Sequence, residues 1–145
     1  MDKKDAAALV VAAKERLGLT WNDIAVGLGR APAWTVSALL GNHPVPAETA
    51  ARAVSLLELD PEAKAALERQ PYRLADPDLL SDPTIYRFHE ALNVYGPAIK
   101  ELIHEEFGDG IMSAINFNLT VERRPHEGGD RVRVVFDGKF LKYEW

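Results

Sequence analysis

Apolar positions recur at helical spacing through the first half of the chain and at strand spacing toward its end. In residues 5–17, Leu9, Val10, Ala13 and Leu17 mark one side of a helix, and Gly18 supplies its stop. Thr20 opens a second helix, with Asp23 three residues on in a near capping-box pattern. "RAPAWTVSALLGNHPVP" predicts a third, started by Pro32 and closed near Gly41, and "PAETAARAVSLLEL" a fourth from about Pro46. "RQPYRLADPDLLSDPTIY" holds three prolines and reads as an extended linker with at most one short turn. Helical character returns at residues 83–94, with Ser81 or Asp82 as cap and Pro83 in the first turn; Gly96-Pro97 then predicts an interruption before a separate helix over 98–107. From Ile115 the period falls to two: Ile115, Phe117, Leu119 and Val121 alternate with Asn116, Asn118, Thr120 and Glu122. "HEGGD" reads as a turn, Val132, Val134 and Phe136 continue the alternation, and Asp137-Gly138 predicts a tight hairpin into residues 139–143. The tail is therefore expected to be a three-stranded meander.

The order of elements predicts an α+β protein: a helical domain over residues 1–75, then helices and a small antiparallel sheet over 76–145. Within the first, Ile24, Ala25 and Leu28-Gly29, followed by Val36 and Leu39, resemble a helix-turn-helix of the lambda-repressor type. The second is a unit of roughly 70 residues, too small to cover one broad apolar face by itself, so subunit pairing is expected to cover it, as an interlocked dimer.

Charge narrows the partners. The net charge is −5, and neither half is basic: residues 1–76 carry nine Lys or Arg against ten Asp or Glu, and residues 77–145 eight against twelve. That balance argues against a phosphate-binding surface and so against nucleic acid. The chain has no cysteine, which removes disulfide and thiolate chemistry and is compatible with a reducing compartment. "MDKKDAAALVVAAKERLG" is neither a secretion signal nor long enough in its apolar run to span a membrane, and a cytoplasmic protein is expected.

Two places hold candidate chemistry. In "TIYRFHEALNVYG", Arg87 and Glu90 sit three apart on one helical face among apolar neighbours. By spacing alone they form an ordinary ion pair or hold a charge against a dry wall. In "FGDGIMSAINFN", Ser113 lies in an apolar run and needs a hydrogen-bond partner if buried, usually a nearby backbone carbonyl. No Gly-x-Ser-x-Gly surrounds it, so a hydrolase nucleophile is poorly supported. His43, His89, His104 and His126 lack paired spacing, so no metal site is expected, and Glu101, Glu105 and Glu106 read as a solvated helix face.

These segments carry a family resemblance. "DPTIYRFHEALNVYGPAIKELIHEEFGDGIMSAINF" over residues 82–117, followed by "EGGDRVRVVFDGKFL", resembles the signature region of the cyanases, also called cyanate hydratases or cyanate lyases. "YRFHE", "VYG", "FGDGIMSAI" and "DGK" occur in order; "LTWNDIAVGLGR" and "HPVPAETAARAVSLLEL" are similar to the family's helical domain, and the final "KYEW" agrees least. The resemblance implies bicarbonate-dependent decomposition of cyanate, with no metal or organic cofactor and bicarbonate as co-substrate. It implies Arg87, Glu90 and Ser113 as catalytic residues, in a homodecamer built as a pentamer of dimers with sites between subunits. The alternative is a helix-turn-helix DNA-binding regulator, yet "AWTVSALLG" offers no Arg, Lys, Asn or Gln to read base edges.

Overall fold

The computed structural model describes the whole chain, Met1–Trp145, as six α-helices, one short 3-10 turn and two β-strands. Helix α1, Lys3–Arg16, starts in a reciprocal cap: the Asp5 amide donates to the Asp2 carboxylate and the Asp2 amide to the Asp5 carboxylate, both at 2.9 Å. Helix α2, Trp21–Leu28, repeats the device with Thr20 and Asp23, at 2.8 Å for the Thr20 amide and 3.1 Å for the Asp23 amide. Helix α3, Pro32–Leu39, begins on its proline, and helix α4, Ala47–Leu56, follows Pro46. α2 and α3 pack on each other across the turn at Gly29.

Helix α5, Glu62–Glu68, is not among the elements the sequence pattern predicts. Its buried side chains are Ala63, Ala66 and Leu67, a stripe too small in volume to stand out as an apolar face. Lys3 ties this helix to α1, its ammonium donating to the Leu67 and His43 carbonyls, each at 2.9 Å. Burial, then the Arg69 charge, lower the Lys3 pKa. The core beneath is built from small residues, Ala6, Ala13, Ala38, Ala50, Ala53 and Ala66, between larger ones such as Ile24, Leu28 and Leu39. Alanines let short helix axes approach closely, so a small helical unit still buries a continuous core.

After an irregular stretch, a 3-10 turn at Leu79–Ser81 leads into helix α6, Pro83–Phe107. Asp82 caps it by accepting from Thr84 N at 2.9 Å and Ile85 N at 3.0 Å. The expected interruption at Gly96-Pro97 does not occur: one helix of 25 residues runs through Pro97. A proline removes one helical hydrogen bond, but ending the helix would require a new and costly nucleus for the strong formers that follow, Ala98, Lys100, Glu101 and Leu102.

The meander is also corrected. Strands β1, Gly110–Arg124, and β2, Arg131–Lys142, form a two-stranded sheet, with the turn at residues 125–130 and Asp137-Gly138 inside β2. Gly138 marks a close approach of two strands: a Cβ there would overlap the Ser113 carbonyl oxygen and the Met112 side chain. The Tyr143 amide continues the pairing to the Asp109 carbonyl at 3.1 Å.

By packing, the residues group into two units, Met1–Arg73 with Leu119–Val134, and Leu74–Asn118 with Val135–Trp145. The first unit holds the apolar core described above. In the second, α6 has no buried residue at all, and Val94 at 67%, Leu102 at 64% and Ile115 at 97% stand exposed. No helix of the chain is long and apolar enough to cross a membrane.

The cap of α2 yields a pH prediction. Hydrogen bonds from the Thr20 side chain and then its backbone hold the Asp23 carboxyl below its ordinary value of 3.8. A depressed folded pKa contributes stability that is complete above that ordinary value and is lost as pH falls through the folded one. Asp23→Ala is therefore expected to lower Tm near neutral pH, and the gap to the parent should narrow below about pH 4, as followed by circular dichroism melts. A gap that stays constant with pH would contradict the charge-assisted cap.

Candidate active site

Arg87 and Glu90 lie in the first two turns of α6, and both are open to solvent within the chain: their side chains are 67% and 56% exposed. The closest approach, Arg87 Nη1 to Glu90 Oε2, is 3.6 Å, an ion pair too long for a good hydrogen bond. The guanidinium also stands 5.8 Å from the centre of the Tyr86 ring, whose other neighbour is the His89 ring at 6.0 Å. Arg87 is thus oriented by a carboxylate and an aromatic face while its planar fork of N–H donors remains free.

Ser113 is the opposite case, a polar residue only 6% exposed on β1. Its Oγ does not donate to a backbone carbonyl, as the sequence leads one to expect; it accepts from the amides of Ile115 at 3.0 Å and Asn116 at 2.9 Å. Successive amides of a regular strand point to opposite sides. Two consecutive ones converging on one oxygen mean that β1 bends here around the serine. Gly138 allows the bend to lie against β2, and Gly110 does the same nearer the start of β1, where a Cβ would overlap the Leu141 carbonyl and the Phe140 ring.

The structure does not bring Arg87 and Ser113 together in one chain. Ser113 sits beside Gly138, and Gly138 with Met112, Ile103 and Phe107 lines a concavity of about 230 Å³. Arg87 is sixteen residues before Ile103 on the same helix. At roughly 1.5 Å rise per residue that is about 24 Å, well beyond the reach of an arginine side chain. The concavity itself is walled by Phe107, Phe136 and Phe140 with Asp137 its only charged group, so it is no anion site.

The remaining candidates stay apart. No group of three His, Asp or Glu side chains converges as a metal site would need. His43 stacks on Trp34 at 6.3 Å, and burial, then the Arg73 and Lys3 charges, lower its pKa. Glu101, Glu105 and Glu106 are exposed along α6.

Comparison with known proteins identifies the group to which this arrangement belongs. The family model described as cyanate hydratase, N-terminal, matches residues 3–71, and that described as cyanate lyase C-terminal domain matches residues 77–145. The chain belongs to the cyanase family. It is 58% identical to the cyanate hydratase of Mycolicibacterium vanbaalenii, over 100% of this chain and 95% of that one. It is 46% identical to the cyanate hydratase of Pseudomonas putida, over 99% and 98% respectively. Among solved structures it resembles the crystal structure of cyanase from T. urticae, with a TM-score of 0.86 at 38% identity, covering 94% of this chain and 96% of the other. In this cyanase-family chain the catalytic candidates thus fall into two groups, Arg87 with Glu90 near one end of α6 and Ser113 near the other.

The tight strand approach is testable by itself. Gly110→Ala places a methyl group against the Leu141 carbonyl, which cannot retreat without loosening the hairpin. A loss of about 1–3 kcal/mol is expected, read from chemical denaturation of the intact protein. An unchanged midpoint would show that β1 and β2 separate there at no cost.

Proposed function

We propose that this protein is a working cyanase: it decomposes cyanate with bicarbonate as co-substrate, giving carbamate and carbon dioxide, and carbamate then breaks down to ammonia and a second carbon dioxide. The observation that carries the reading is full-length similarity to proteins named cyanate hydratase, at 44–58% identity, with Arg87, Glu90 and Ser113 in place. We take the reaction to use no metal or organic cofactor and to run in the cytoplasm. Residues 1–75 serve as a helical domain resembling a helix-turn-helix, and residues 76–145 as the catalytic and dimerisation domain. DNA binding finds no support, because α3 carries no Arg, Lys, Asn or Gln for bidentate contacts to base edges.

Both substrates are anions. At about 4 Å and an effective dielectric of roughly 20 they repel by about 4 kcal/mol, so the site must supply positive charge. Arg87 suits the task because its fork grips carboxylate-like oxygens through paired hydrogen bonds and stays charged at any working pH. A bicarbonate oxygen forms a bond to the cyanate carbon, and the bicarbonate proton passes to nitrogen. The bond from the bridging oxygen to the bicarbonate carbon then breaks, its electrons staying on oxygen, and carbon dioxide leaves; one further proton from solvent completes carbamate. Charge grows on the adduct oxygens, where donors such as Arg87 and Ser113 lower the barrier. Glu90 orients Arg87, since an ionised carboxylate facing two anions would weaken binding.

The separation of Arg87 from Ser113 favours a site assembled from different copies of the chain. The bare apolar surface of α6 and the hairpin favours the same arrangement, since a second copy is the ordinary way to cover it. A homodecamer of five dimers, with interlocked partners, satisfies both and lets more than one Arg87 face a single pocket.

Two experiments test this. Ammonia release from cyanate should depend on added bicarbonate and fall by orders of magnitude in Arg87→Lys with the oligomer intact, because the charge stays but the fork is lost. Bicarbonate-independent turnover, or near-normal Arg87→Lys activity, would refute the assignment. Co-assembly of inactive Arg87→Ala and Ser113→Ala chains should recover measurable activity, since some mixed sites receive both intact residues. No recovery from verified mixed oligomers would place all the residues of a site on one chain.

A further inference from the structure

Consecutive residues of a helix point about 100° apart and do not face each other, whereas residues three apart do. Helix geometry therefore offers Arg87 a partner in Glu90 and none in Tyr86. Arg87 engages both: its guanidinium carbon lies 5.8 Å from the centre of the Tyr86 ring, and its closest approach to the Glu90 carboxylate is 3.6 Å. The arginine thus leans sideways across α6 to reach the ring. Tyr86 is itself packed against the His89 ring, at 6.0 Å between centres with the planes tilted by 48°, which limits its rotation.

We propose that Tyr86 is a positioning residue for the reaction: its ring face holds the Arg87 guanidinium toward the bound anions, and its hydroxyl is dispensable. This rests on the reading of the protein as a cyanase with Arg87 in its site. An arginine that grips two anions needs its charge and its N–H donors at once. A carboxylate close enough to orient it firmly occupies two of those donors and offsets the charge. An aromatic face does neither, because the negative face of the ring attracts the cation as a whole and leaves its N–H edges free. The separation from Glu90 fits this division: at 3.6 Å the carboxylate biases the guanidinium without taking a good hydrogen bond from it.

The strength of the contact depends on water. In the single chain Tyr86 is 41% exposed and the Arg87 side chain 67%, where a cation on a ring gains little. Apolar surface of a second copy laid over α6 excludes solvent from the pair, and a cation–π contact is strongest when desolvated. Tyr86 therefore holds the arginine most firmly in the assembled protein, where the substrates bind.

The test uses the assembled protein, steady-state kinetics with cyanate and bicarbonate, and oxalate as a small dianionic probe read by calorimetry. Tyr86→Leu keeps apolar bulk but loses the ring face. It is expected to weaken oxalate binding about tenfold and to lower kcat/KM by at least as much, with the oligomer intact. Tyr86→Phe, which keeps the face, should recover most of both. Phe88→Leu removes a different exposed ring from the same turn of α6 and should cost far less at a comparable drop in Tm. Tyr86→Leu should add little to Arg87→Lys, because its effect passes through the fork that lysine lacks. Undiminished oxalate binding by Tyr86→Leu, no recovery in Tyr86→Phe, an equal loss in Phe88→Leu, or full additivity with Arg87→Lys would each overturn the assignment. Should Tyr86→Leu fail to assemble, pentafluorophenylalanine at position 86 decides the same point: it keeps the shape of the ring but reverses its quadrupole. It should bind oxalate more weakly than Tyr86→Phe, and equal affinity would overturn the role of the face. If wild type binds oxalate but releases no ammonia from cyanate, the cyanase reading fails, and the oxalate comparisons still decide whether Tyr86 positions Arg87. A wild type that does neither overturns both.

Discussion

An amphipathic helix is normally stable in a protein because one face is hidden from water, and α6 lacks that condition in a single chain. Its 25 residues include Phe88, Leu92, Val94, Tyr95 and Leu102, all exposed. Covering one such side chain contributes roughly 1.5–3 kcal/mol. The helix therefore stands to gain more from a neighbouring surface than from its own cap. The first unit is different, since its alanine-lined core is closed within itself. One chain thus combines a self-sufficient helical unit with a helix and hairpin whose apolar side chains stand bare. The placement of Arg87 and Glu90 on that bare part gives the proposed function its structural logic.

Electrostatics sharpens that logic. In the isolated chain Arg87 faces water, where its field is strongly screened and its pairing with Glu90 contributes little. Two small anions gain from a guanidinium mainly where water is excluded. Apolar surface laid over α6 would do two things together: bury the helix, and lower the effective dielectric around the charge. Aliphatic neighbours such as Val94 are then part of the chemistry, because the strength of the cation depends on the wall around it.

What was legible in the sequence depended on the range of the interaction. The caps at Thr20 and Asp82 and the proline start of α3 are local, with donor and acceptor within three residues, and these were readable. Helix α5 escaped because alanine gives almost no contrast between faces. The break expected at Pro97 followed from a local rule, which the cooperativity of a long helix overrode. Asp137-Gly138 misled for a related reason: Gly there answers to Ser113 and Met112 across the sheet, not to its own backbone turn. At the site, the spacing of Arg87 and Glu90 exposed their pairing. Ser113 was recognisable only by its resemblance to the family's motif, and its amide partners were not visible at all because they arise from the bend in β1.

A site divided between the two ends of α6, as proposed, would also link assembly to chemistry. If Arg87 and Ser113 meet only between copies, the free chain has the residues but not the site. Its activity then follows the concentration of assembled protein, as its stability does. The helix length then becomes a functional dimension: about 24 Å between Arg87 and Ile103 keeps the two groups of residues apart within one chain. A continuous α6 through Pro97 preserves that spacing, whereas a break or sharp bend would shorten it and move Arg87 off the helix face it shares with the exposed apolar residues. The persistence of the helix across its proline is therefore a condition for the shared site, as well as a detail of the fold.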